Sequence, residues 1–239
     1  YDTWGRVAHE SLFNVNDGNY RCPSTQQGYS PFTTWTRGLA WIMLGSPEQL
    51  EFLESVPNDE LEPFGGRSRV ESMMRRAAQA TCDFYLANTP TCGVPYWDTG
   101  AAGLAHLPDY LDRPADPFNP VEPVDSSAAA IGAQGLLRLG HSLRRQGNTA
   151  AGQRYWQAGL TVAKSLLQAP YLSDDPNHQG ILLHVVYHRP RGWDHVPVGS
   201  HIPHSESAMW GDYHLLELGL YLQRIIAEQP VYTFFAGPA

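Results

Sequence analysis

Apolar residues recur at three- and four-residue intervals through much of this chain. Between Arg67 and Asn88, the residues Val70, Met73, Met74, Ala77, Thr81 and Phe84 form one stripe that Thr89-Pro90 ends, which predicts an amphipathic helix. Ser30-Pro31 supplies an N-cap with proline at the first helical position. The spacing then predicts a helix through Trp35, Arg37, Leu39, Trp41 and Leu44 that stops at Gly45, with a short helical piece from Pro47 to Leu53. Asp125 caps a further helix, SSAAAIGAQGLLRLGHSLRR, with Ala128, Ile131, Gly135 and Leu139 on one side; its small residues allow close approach of a neighbour. Asn148 or Thr149 opens the next, carrying Tyr155, Trp156, Gly159, Leu160, Ala163 and Leu167, and the short joint Gln146-Gly147-Asn148 makes these two an antiparallel hairpin. The last strong element runs from Ser205 to about Gln229 and is apolar on nearly every side, which predicts burial all round. Residues 1–13, with Trp4, Val7, Ala8 and Leu12 in helical register, read as the tail of a helix.

Two long stretches interrupt this pattern. Residues 89–124 contain Pro90, Pro95, Pro108, Pro114, Pro117, Pro120 and Pro123, yet the Tyr96-Trp97 pair implies order, since such a pair needs something to pack on. Residues 171–204 are irregular apart from a strand-like run, Gly180–His188. Helix pairs joined alternately by short turns and long aromatic-rich loops predict an all-α fold, an (α/α) toroid of helical hairpins with the loops gathered at one mouth. The six or seven helices fall short of the twelve in a closed six-hairpin ring, so the expectation is an incomplete (α/α)6 barrel.

Composition narrows the partners. The chain has 239 residues, 42% apolar and 17% charged, with no like-charge block, which excludes bulk disorder. A net charge of −8 with scattered basic residues argues against nucleic acid and against a long polyanion. A small anion held by one or two local arginines fits. No apolar run reaches the roughly 20 residues of a membrane span. Cys22, Cys82 and Cys92 give neither a disulfide framework nor zinc spacing, and they leave the compartment open. His184, His188, His195, His201 and His204 crowd one region, but His184 and His188 on an extended run stand about 13 Å apart. No metal and no cofactor is expected. Seven Trp and twelve Tyr supply faces on which sugar rings can stack, although most large aromatics serve a core.

The candidate chemistry lies near the first capped helix. Arg37 and Trp41 are four apart and share a face: a guanidinium fork suits a sugar carboxylate, and an indole one turn on can cover a ring. Gln27, in the turn before the helix, can orient a water or a hydroxyl. Pattern alone equally describes an amphipathic helix with a snorkelling arginine.

The stretch QQGYSPFTTWTRGLAW resembles the HQG…TWxRGQAW segment of the unsaturated glucuronyl hydrolases, glycoside hydrolase family eighty-eight and its relatives. Further matching segments follow in the family's order: Pro95-Tyr96-Trp97-Asp98, Val124-Asp125-Ser126-Ser127-Ala128-Ala129-Ala130-Ile131, Tyr187-His188 and Met209-Trp210-Gly211-Asp212-Tyr213. The resemblance implies one domain over 1–239, the C-terminal part of an α-helical toroid. It implies action on a Δ4,5-unsaturated uronic acid at the non-reducing end of a small oligosaccharide. In that chemistry a carboxylic acid protonates C4 of the enol ether, water adds at C5, and the resulting hemiketal collapses and expels the remaining sugar. Gln27 would stand beside the attacking water; Trp35, Arg37, Trp41, Tyr187, Trp97 and Trp210 would bind substrate.

The sequence departs from the family in having Gln26 where His is common and in lacking a clear counterpart, near Asn14–Arg21, of an upstream His. The family's two catalytic aspartates fall in its first half, before Tyr1. Of the carboxylates present, Asp125 reads as an N-cap and Asp212 as a structural acceptor, while Asp98 and Asp194 have the better chance of meeting substrate. A non-catalytic sugar-binding module of the same fold is the alternative, and a toroid-type epimerase or other hydrolase a third reading. A part ring exposes apolar helix surface, so either an N-terminal half or an oligomer partner is expected to cover it.

Overall fold

The computed structural model describes residues 1–233. Within them lie a β-hairpin, β1 (Glu10–Phe13) and β2 (Tyr20–Ser24), and the helices α1 (Thr36–Leu53), α2 (Asn58–Leu61), α3 (Arg67–Ala87), α4 (Ser126–Arg145), α5 (Thr149–Leu166) and α6 (Met209–Ile226). α4 is central: α5 backs it, α1 and α6 flank it, and α3 backs α1. Its small residues explain how so many neighbours fit. A Cβ on Gly135 would lie 2.4 Å from the Met43 carbonyl oxygen of α1, and one on Gly140 would lie 2.8 Å from the Gly152 carbonyl oxygen of α5. Ile131, Leu136, Leu137 and Leu139 of α4 are all fully buried, as is Tyr85 of α3, whose hydroxyl donates to the Gly93 carbonyl at 2.7 Å.

The first turns of α1, α4 and α6 meet: Arg37 Nη1 lies 3.4 Å from Ser127 Oγ, and Trp210 Nε1 lies 3.2 Å from the same oxygen. These three are parallel inner helices starting at one mouth, with α3 and α5 returning behind them, and the architecture is that of an α/α toroid. Hairpin α4–α5 turns where expected, and Asp125 caps α4 by accepting from the backbone N–H groups of Ser127 and Ala128. Such a cap contributes on the order of 1 kcal/mol.

Several expectations change. Residues 1–13 do not end a helix. Gly5 takes φ +83 with its Cα pressed on α3, where a Cβ would stand 1.9 Å from the Ala80 carbonyl oxygen, and Glu10–Phe13 pair antiparallel with Tyr20–Ser24. The helix anticipated from Ser30 begins at Thr36, because Ser30–Thr33 close a turn of their own and the Thr36 N–H is taken by the Trp97 carbonyl at 3.1 Å. That helix does not stop at Gly45 but absorbs Pro47 and continues to Leu53, since Leu50 and Leu53 gain a cluster with Leu61, Val56, Val70 and Met74. The run Gly180–His188 makes only one isolated bridge, Leu172 to Leu182; its N–H groups go elsewhere, Ile181 and Leu182 to the Asp212 carboxylate and Val185 to the Glu206 carbonyl. α6 starts four residues later than expected and is not buried all round: Met209, Tyr213, Leu216 and Leu220 stay exposed along one stripe. The segment 89–124 is ordered, as the Tyr96-Trp97 pair implied, with Tyr96 bridged to Val124 and Trp35 to Asp98.

Candidate functional site

Arg37 organises the mouth. Its side chain is 4% exposed and forms a buried ion pair with Asp125 at 2.9 Å, so one carboxylate both caps α4 and fixes α1. Nη1 also donates to the Val186 carbonyl and Nη2 to the Tyr187 carbonyl at 2.8 Å, tying the 184–188 segment to both helices. The guanidinium lies between two indoles, 4.8 Å from the Trp35 ring and 5.0 Å from that of Trp210. Nη2 reaches Gln27 Oε1 at 3.3 Å. The fork expected for a sugar carboxylate is therefore occupied by protein acceptors, and Arg37 holds other groups in place.

Around it the remaining residues fall into two sets. Gln27, Trp35, Tyr187 and Trp210 gather at Arg37. The Tyr187 ring is 46% exposed and lies 5.3 Å from Trp210 and 5.6 Å from Trp193. Trp41, one turn along α1, is set apart: it is exposed on the inner face, with its ring 5.1 Å from His214 of α6 rather than near the guanidinium. Trp97 is a core residue, 3% exposed, whose Nε1 donates to Glu122 at 2.7 Å; its expected contact with a sugar is replaced by packing, because the bridge from Trp35 to Asp98 turns the Tyr96–Asp98 segment inward.

The carboxylates are committed elsewhere. Asp98 is fully buried and accepts from the N–H groups of Tyr29 and Gly100, with burial pushing its carboxyl up from the ordinary range. Asp194 accepts from the backbone of Tyr187 and His188, and so clamps the exposed ring from behind. Asp98 is thus shut off from any substrate, contrary to expectation, and Asp194 stands at the mouth only behind Tyr187, whereas Asp125 and Asp212 are structural acceptors as read from sequence.

Sequence reasoning missed His9 and Trp193, and it met His188 only in the crowd of histidines and as the neighbour of Tyr187 in a matching segment. His9 stacks on Trp35 at 4.6 Å, and its Nδ1 lies 3.0 Å from Thr25 Oγ1; burial lowers its pKa, with Arg37 and His188 adding to the effect, so the ring is neutral near pH 7. His188 is buried with Nδ1 unpartnered and packs on Trp193 at 4.8 Å. The mistaken helical reading of residues 1–13 hid His9; Trp193 and His188 sit in a loop without periodicity.

Parallel inner helices beginning at one aromatic-lined mouth define an α/α toroid, and comparisons with known proteins agree. No family model matches the chain. It is 30% identical over 216 residues, 90% of its length, to the unsaturated glucuronyl hydrolase of a Bacillus species, of which it covers 46%. The crystal structure of a Bacillus unsaturated glucuronyl hydrolase responsible for the degradation of glycosaminoglycan superposes with a TM-score of 0.68 at 26% identity, covering 94% of this chain and 48% of that one. A structure of such an enzyme with dGlcA-Glc-Rha-Glc gives the same TM-score and coverage. The chain is a homologue of the unsaturated glucuronyl hydrolases and spans about half the length of the relatives it matches.

Proposed function

We propose that a protein carrying this chain hydrates the Δ4,5 double bond of an unsaturated uronic acid at the non-reducing end of a small oligosaccharide. The observation that carries this reading is the buried knot in which Arg37 fixes Gln27, Trp35, Trp210 and the Tyr187 backbone at one mouth. In this reading Gln27 is the residue beside the reacting atoms. Its Oε1 faces Arg37, which sets the plane of the amide and leaves its N–H groups to hold the water that adds at C5. Trp210 and Tyr187 cover the sugar, Trp35 shapes the wall behind Gln27, and Trp41 lines the inner face one turn deeper. Arg37 is a positioning residue. The proton for C4 must come from an un-ionised carboxyl, and Asp98, Asp125, Asp194 and Asp212 are each taken by backbone N–H groups. We assign that acid to the part of the relatives' length that this chain does not span.

The test is incubation of full-length protein with unsaturated chondroitin- and ulvan-type disaccharides while the ultraviolet absorbance of the conjugated double bond is followed. Absorbance should fall, and Gln27→Ala should lower kcat about 100-fold, the order expected when a reacting water loses the group that positions it. Constant absorbance across these sugars rejects the reading. The committed carboxylates also favour a second reading, a sugar-binding module of the same fold, for which calorimetry on the 239-residue chain should show disaccharide binding without turnover.

A further inference from the structure

A groove of about 300 Å³ opens between the 117–120 and 197–204 loops, lined by Phe118, Pro120, Val198, Ser200, His201 and His204 among others. Phe118 is 57% exposed and presents its ring to this groove. It is nevertheless held rigidly. Its N–H donates to Asp116 Oδ1 at 2.9 Å, and the buried Asn119 beside it closes the loop with four hydrogen bonds, to the carbonyls of Asp116 and Glu122 and from the N–H groups of Val121 and Glu122. The ring stands edge-to-face on His184 at 5.0 Å and on His204 at 5.5 Å. Behind it the backbone is strained: His184 and Ser205 both take left-handed φ values, +66 and +68, and the Ser205 N–H donates to His184 Nδ1 at 3.1 Å. Left-handed residues with side chains cost free energy and concentrate where a surface must be held in one shape.

The groove is tied to the mouth by the chain itself. His184 packs behind the Phe118 ring and Tyr187 is the exposed ring at the mouth, and three residue steps can separate their Cα atoms by no more than roughly 11 Å. An oligosaccharide lying over Tyr187 and Trp210 would therefore bring its later rings within reach of Phe118. The lining suits such a ring: an aromatic platform for C–H faces, two imidazoles and a hydroxyl for sugar hydroxyls, and no lysine, arginine, aspartate or glutamate that would demand a charged ligand.

We propose that this groove is a distal subsite for a neutral pyranose ring on the reducing side of the same oligosaccharide, with Phe118 as its stacking platform. The inference rests on the proposed function and extends it to substrate length. It predicts that the 239-residue chain binds an unsaturated tetrasaccharide about tenfold more tightly than the disaccharide with the same non-reducing unit, measured by calorimetry. Phe118→Ala should remove that tenfold preference while leaving disaccharide affinity unchanged, and Phe118→Trp should keep it. His201→Ala, in an exposed loop position, should reduce the preference without affecting folding. Equal affinity of the unaltered chain for both sugars, or a preference that survives Phe118→Ala, overturns the subsite while the mouth reading stands. Binding of neither sugar overturns the subsite, and the mouth reading is then decided by the absorbance of full-length protein.

Discussion

Residue 37 carries more of this molecule than a surface arginine would. Its pair with Asp125 is almost completely dehydrated, and removing one member leaves the other charge buried without a partner. Asp125→Ala should therefore destabilise the chain by about 3–5 kcal/mol in urea unfolding, well above the ~1 kcal/mol that loss of a helix cap alone would give. A cost near the smaller figure would mean that the ion pair adds nothing. His184 makes a second, pH-dependent prediction. Burial, reinforced by His204, lowers its pKa from 6.5 to about 4. The unfolded chain thus takes up a proton at higher pH than the folded one, and the stability this group contributes is fully present above pH 6.5 and is lost as pH falls towards 4. His184→Asn should flatten the stability profile between those limits, as read from urea midpoints at successive pH values. Gln27, Trp35, Arg37, Tyr187 and Trp210 were legible as a set only through the resemblance to the family's segments, since pattern alone equally described an amphipathic helix with a snorkelling arginine. What Arg37 holds was not legible: its acceptors at Val186 and Tyr187 are backbone carbonyls, which leave no trace in residue type. Trp97 misled for the opposite reason, since the same side chain serves equally as platform or core.

At the scale of elements, glycine positions separate contact from open space. A methyl group at Gly135 would meet the α1 backbone at Met43, which cannot swing aside, so Gly135→Ala should cost about 1–3 kcal/mol by overpacking. Gly219 in α6 has open space at its Cβ position, and Gly219→Ala should instead stabilise the chain by about 0.5–1 kcal/mol. Thermal unfolding of the two variants checks both signs at once. Helices α3, α4 and α5 were readable nearly to the residue, because each carries an apolar stripe with one marked end: Thr89-Pro90 after α3, Asp125 before α4 and the Gln146-Gly147-Asn148 joint before α5. The ends of α1 were not, because tertiary bonds from Thr36 to Trp97 and burial of Leu50 and Leu53 outweighed the local signals of Ser30-Pro31 and Gly45. The extended look of 180–188 failed similarly: its donors are satisfied by Asp212 and by the Glu206 carbonyl, so no neighbouring strand is needed.

For the whole molecule, the exposed stripe Met209, Tyr213, Leu216 and Leu220 repeats at the spacing of a packed helix face, yet no return helix covers α6 among the described residues. The isolated chain should self-associate in light scattering, and Leu216→Glu with Leu220→Lys should shift it towards a 26.6 kDa monomer. A monodisperse monomer of the unaltered chain would speak against a stripe that needs a cover. The reach of Arg37 has one further consequence, for the order of events during synthesis. Its carbonyl partners lie 149 and 150 positions along the chain. At about 5–20 residues per second, they leave the ribosome seconds after Asp125 does. In that interval the guanidinium has its carboxylate, Ser127, Gln27 and Trp35 but neither carbonyl, and the nascent polypeptide carries finished helices around an unfinished mouth.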